Sequence, residues 1–182
     1  MSISERARRL ALALAFSAAV VAPALADPGP GLGEPVTAEE IAKWDISVAP
    51  DGATLPPGQG DAKRGRVVYQ DRCVGCHGTD GEGGEGLADP LAGGIGSLAS
   101  DKPLKTVGSY WPHATTIFDY VRRAMPYDRP MSLSNADVYA VTAYILALNG
   151  IIDETTALNA GTLPKVAMPN RGGFVLHWPE PD

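Results

Sequence analysis

The chain has 182 residues, with 21 acidic side chains against 15 lysines and arginines and a net charge of −6 at neutral pH. That length suits one compact domain with extensions, or two very small ones. The acidic balance argues against nucleic acid or an anionic membrane surface as a partner, since both select basic faces.

Residues 1–26 read as an export signal rather than as structure. Arg6, Arg8 and Arg9 precede a short apolar stretch from Leu10 to Val21, and Pro23 then leads into Ala24-Leu25-Ala26, a small-x-small cleavage pattern. The stretch is too short to span a bilayer. Cleavage near Ala26 removes three arginines and one glutamate, which takes the net charge from −6 to −8. No later segment has the length of a transmembrane helix, so the expected mature protein is exported, with no stable membrane insertion.

Residues 27–59 are dense in proline and glycine and predict an N-terminal extension. Within it, Thr37-Ala38-Glu39-Glu40 has the form of a capping box opening a short helix toward Trp44. From Gly60 the pattern turns helical: Asp61 is a candidate N-cap, and the helix runs through Gly65 and Tyr69 toward Cys73. A glycine inside a helix costs roughly 1 kcal/mol relative to alanine, so Gly65 predicts a second helix pressed against it. Gly78 to Gly96 lacks periodicity and reads as loop. His113 to Ala124 predicts a second helix, ended by Met125-Pro126 because a residue before proline is driven out of helical geometry. Ser134 caps a last long helix with Val138, Val141, Ile145 and Leu148 at helical spacing, and Gly150 stands where a C-cap belongs. Residues 150–182 predict a tail packed on the domain. The core over 60–149 is small enough to need help from something besides its own side chains.

Cys73-Val74-Gly75-Cys76-His77 carries the chemistry. Two thiols separated by two residues on a tight turn reach the two vinyl groups of one porphyrin, and the adjacent histidine is then held under the iron. The motif predicts one covalent haem c on Cys73 and Cys76, with His77 as axial ligand. A thioredoxin-like pair would need a βαβ surround, a zinc site would need further ligands beyond His113 and His177, and a plain disulfide leaves His77 unexplained.

For the sixth iron position the candidates are Met125, Met131, Met168, His113 and His177. Met125 is preferred because Pro126 stiffens the chain behind it and lets the thioether be presented at low entropy. Met131, also after a proline, is the rival. Pro90 and Leu91 lie where a loop could return over His77 and offer it a backbone carbonyl. Tyr110 and Trp111 could donate to a buried propionate or simply pack in the core. Arg122 and Arg123 read as a solvated helix face that could also meet propionates.

Gly65, Tyr69, the haem motif, Met125-Pro126 and Tyr144 together resemble class I cytochromes c. The resemblance implies an all-α fold in which the first and last helices cross at the glycine, around one haem with His/Met ligation. The run Lys105 to Pro112, continued by Ala114 to Tyr120 and Arg123 to Pro126, is similar to the haem subunits of sulfane and sulfite dehydrogenases. So are Glu39-Glu40-Ile41, Trp44-Asp45-Ile46, Ser132-Leu133-Ser134, Leu163 to Val166 and Met168-Pro169-Asn170. Sulfane dehydrogenase subunits typically carry two haems, whereas this chain has one motif. The resemblance therefore implies an electron-transfer protein rather than an enzyme by itself. Its donor would be a molybdenum sulfite or sulfane dehydrogenase, and its acceptor a downstream cytochrome or oxidase. A general electron carrier, the cytochrome subunit of an unrelated dehydrogenase, and a haem enzyme with an open iron are the other readings.

Overall fold

The computed structural model describes residues 31–84 and 88–175. The expected export signal falls on residues outside that range. By internal packing the chain divides after Glu40 into residues 1–40 and 41–182. In the first unit Thr37 and Glu40 close the expected capping box: Glu40 N–H donates to Thr37 Oγ1 at 3.2 Å and Thr37 N–H to Glu40 Oε2 at 2.9 Å. This opens α1, Ala38–Trp44.

In the second unit the order is β1 (Gln59–Gly60), α2 (Ala62–Arg72), α3 (Val74–His77), α4 (Val107–Tyr110), α5 (Ala114–Ala124), α6 (Asn135–Leu148) and β2 (Leu158–Asn159), followed by a 3-10 turn at Leu163–Lys165. Helices dominate because their ends are chemically marked. Asp61 accepts from Arg64 N–H at 2.9 Å, and Ser134 accepts from Asp137 N–H at 3.2 Å. At the far end of α6, Gly150 adopts φ 65°, Ile151 N–H reaches Leu146 O at 3.0 Å and Gly150 N–H reaches Ala147 O at 2.9 Å. This paired closure consumes two carbonyls the helix would leave open.

The axis of the fold is α6, where every residue from Val138 to Leu146 is buried. Beyond the expected Val138, Val141, Ile145 and Leu148 spacing, α2, α5, β1 and the chain after Gly150 surround the helix. A β-carbon at Gly65 would lie 1.9 Å from Ala140 O, so the α2–α6 crossing is closed by backbone against backbone. Tyr69 and Tyr144 pack beside that crossing with ring centroids 5.1 Å apart, and Tyr69 Oη donates to Gly78 O at 2.8 Å. Phe118 of α5 meets Tyr139 of α6 at 4.4 Å. Across the exposed side of α2 and α6, Arg64 pairs with Asp137 at 2.7 Å.

The structure adds three features that periodicity did not predict. Thr106 caps α4 in a capping box with Ser109. β1 and β2 form a two-residue antiparallel pair, with Gly60 opposite Leu158. The tail is also more than a cover: Leu158, Leu163, Val166 and Met168 are buried in the core. Among the described residues no helix is long and apolar enough to cross a membrane.

Candidate functional site

The cysteine motif is a break between two helices. Cys73 has φ −123° and ψ −33°, which ends α2 and starts α3 in one residue, and Cys76 and His77 N–H both donate to Cys73 O, at 3.1 and 3.0 Å. The turn brings Cys73, Cys76 and His77 to one cavity of about 440 Å³. Its remaining wall is largely apolar: Val107 from α4, Ile117 and Val121 from α5, Val141 and Ile145 from α6, with Leu91, Trp111, Met125 and Leu133 from the connecting segments. Arg72 and Asp128 supply the charge. That volume and lining match a site for a large, mostly apolar ligand held by a few polar groups.

The titrating groups do not suit thiol redox chemistry. Burial, with Cys76 beside it, pushes the Cys73 thiol up to about 11. Dithiol oxidoreductases lower that value to activate the sulfur, so the direction here is opposite. Burial also holds His77 below the ordinary imidazole value of 6.5, only partly offset by the Asp89 backbone. His77 Nδ1 is enclosed and makes no hydrogen bond of normal geometry, so the Asp89 backbone lies near it without a well-formed bond. An enclosed, unpaired ring nitrogen is costly, and a ligating histidine ordinarily spends that nitrogen on a neighbouring acceptor. Among the described residues no group of three His, Cys, Asp or Glu side chains is arranged to hold a metal ion by itself.

Met125 sits at the C-cap of α5, its N–H donating to Val121 O at 3.1 Å, and it lines the same cavity as His77. Met131 is 63 % exposed and off the cavity, and Met168 is buried in the core at 4 % exposure. His113 lies at the other end of α5, and His177 lies outside the described residues. Trp111 lines the cavity and meets Tyr120 edge-on at 5.9 Å.

Pro90 and Tyr110 do not line the cavity. Leu91, named with Pro90, does line it, as does Ala88, and Leu91 O is taken by Asn149 Nδ2 at 3.1 Å. Tyr110 turns away under the tail, where Phe174 packs on it at 5.2 Å and Asn170 Nδ2 donates to its carbonyl at 2.7 Å. Arg122 donates to Ile46 O at 3.0 Å and Arg123 pairs with Asp119.

One residue that matters here escaped the sequence reading. Asn149, buried at the end of α6, accepts from Gly93 N–H at 3.1 Å and donates to Leu91 O and Ile145 O. It thereby pins the loop that closes over the His77 region. A polar side chain immediately before a C-cap glycine was the available signal.

Two thiols, a histidine and a thioether around one apolar cavity fit a covalently bound haem. The cytochrome c family profile matches residues 62–149. The chain is 43 % identical to a chain in the crystal structure of the sulfane dehydrogenase SoxCD from Paracoccus pantotrophus, with a TM-score of 0.74, covering 80 % of this chain and 71 % of that one. This chain belongs to the cytochrome c family. Membership implies covalently bound haem c and electron transfer as its chemistry. The chain is also 30 % identical over 115 residues to the thiosulfate dehydrogenase of Stutzerimonas stutzeri (strain A1501), covering 56 % of this chain. It spans only 35 % of that relative's length.

Proposed function

We propose that this cytochrome is a periplasmic one-electron carrier with a single haem. It would accept electrons from a molybdenum sulfite- or sulfane-type dehydrogenase and pass them to a downstream cytochrome or oxidase. The observation that carries this reading is the 43 % identity to a sulfane dehydrogenase chain over most of both sequences.

In this reading Cys73 and Cys76 would anchor the haem covalently, and His77 and Met125 would hold its iron. The bound haem supplies a reversible one-electron couple, with methionine ligation favouring the reduced form. The chain's residues do the rest. Val107, Ile117, Val141 and Ile145 keep water from the cavity, which limits reorganisation when charge changes. Asn149 fixes the loop near His77, and α5 carries Met125 on its last turn. The match to the cytochrome c family supports electron transfer as the chemistry, which favours a carrier over an independent enzyme.

The likeness to thiosulfate dehydrogenase supports a second reading, a haem enzyme acting on a sulfur anion at an open iron. Met125 in the cavity wall weighs against it, since its thioether would fill that position. The test is reduction of the purified ferric holoprotein by the dehydrogenase and its sulfur substrate in a stopped-flow instrument. Reduction should be rapid and should slow with salt if charge steers the encounter. If the haem stays oxidised while another small cytochrome is reduced by the same enzyme, the dehydrogenase assignment fails and a general carrier replaces it.

A further inference from the structure

Residues 46–50, in the extension before the helical core, run along α5 and are tied to it at three points. Val48 N–H donates to Asp119 Oδ1 at 2.8 Å, Thr115 Oγ1 donates to Pro50 O at 2.9 Å, and Arg122 Nη1 donates to Ile46 O at 3.0 Å. Positions 115, 119 and 122 follow one another along one helix face. The face bearing Ile117, Tyr120 and Val121 lines the cavity. Helix α5 is thus gripped on one side and walls the cavity on another, and its C-cap residue is Met125.

The grip is strong where it is least replaceable. Asp119 is buried, and its second oxygen takes the Arg123 guanidinium. A carboxylate that accepts from a backbone N–H and an arginine makes charge-assisted bonds, among the stronger ones a protein forms. An eleven-residue helix is marginal by itself, so its axial position is set by what holds it.

We infer that the strap Ile46–Pro50, locked by Asp119, is a positioning device for Met125. It holds α5 at the height from which the thioether reaches the iron, and Asp119 sets how often the thioether lets go. The inference rests on Met125 as the axial ligand. Asp119 itself touches neither haem nor iron.

Imidazole added to the ferric holoprotein competes with the thioether, and its apparent affinity scales with the fraction of molecules whose thioether is off. Asp119→Ala should raise imidazole affinity about tenfold and lower the reduction potential. Asp119→Asn keeps an acceptor for Val48 N–H and should return to within about threefold of the parent. Thr115→Val should raise affinity about threefold and decides the question if Asp119→Ala does not accumulate as holoprotein. Tyr139→Phe removes a different tie to the extension, the 2.9 Å bond to Pro56 O. It should lower thermal stability and leave imidazole affinity unmoved. If Asp119→Ala, or Thr115→Val in its place, binds imidazole as the parent does while melting earlier, the strap only supports the fold and the inference is overturned. If Met125→Ala also leaves imidazole affinity unchanged, the failure lies with the ligand assignment beneath it.

Discussion

Residues 73–91 and residues 111–133 both reach the cavity, and they are built by different means. The first region is local: Cys73, Cys76 and His77 share a single turn whose hydrogen bonds close within five residues. The second is assembled from afar. Met125 is placed by a helix held by Val48, Pro50 and Ile46, more than sixty positions earlier, and packed through Phe118 onto α6. Chemistry that requires fixed covalent geometry is concentrated in contiguous sequence. Chemistry that needs an adjustable contact is left to tertiary structure, where small packing changes can tune it.

The contrast can be tested by removing each kind of support. The largest expected effect is Cys76→Ser, which takes away one covalent attachment from the local region. Mature holoprotein should fall to near background on a haem-stained denaturing gel, because a core this small gains much of its stability from what binds it. Next is Gly65→Ala, which strikes the α2–α6 crossing beneath both regions. The new methyl would overlap Ala140 O, and unfolding free energy should fall by about 3 kcal/mol, checked by denaturant titration of the holoprotein. Asn149→Ala sharpens the comparison by attacking a long-range tie to the local region. It leaves Gly93 N–H and Leu91 O without their partner and should cost about 2 kcal/mol, with faster amide exchange in residues 91–93.

The smallest effect belongs to Asp137→Asn, remote from the cavity. The Ser134 hydroxyl, then Arg64, hold the Asp137 carboxyl below its ordinary 3.8. A depressed folded value means stability that is present above pH 3.8 and lost as pH falls through the lower folded value. The variant should therefore be less stable by below about 1 kcal/mol at neutral pH, since the Arg64 side chain is mostly exposed, and should converge with the parent in acid.

What the sequence revealed follows the same division. The Cys73–His77 motif, the caps at Thr37, Asp61 and Ser134, and the crossing at Gly65 are local chemistry or a local anomaly, and each could be read directly. The Asp119 lock, the Asn149 clamp and the β1–β2 pair join main-chain groups to distant partners, and no periodicity announces them. Pro90 was named for its distance from His77 along the chain and Tyr110 for its polar and apolar character; the contacts they have here, a loop tied to Asn149 and a tail packed on Tyr110, are long-range and not legible in either signal. Leu163, Val166 and Met168 looked like a surface tail because prolines and glycines surround them, yet their side chains complete the core.

The most direct test of the account is the far-red sulfur-to-iron charge-transfer band of the oxidised holoprotein. With His77 and Met125 as ligands, the parent and Met131→Ala should both show the band, and Met125→Ala should lose it and have a lower reduction potential. A band that survives in Met125→Ala and disappears in Met131→Ala would contradict the account.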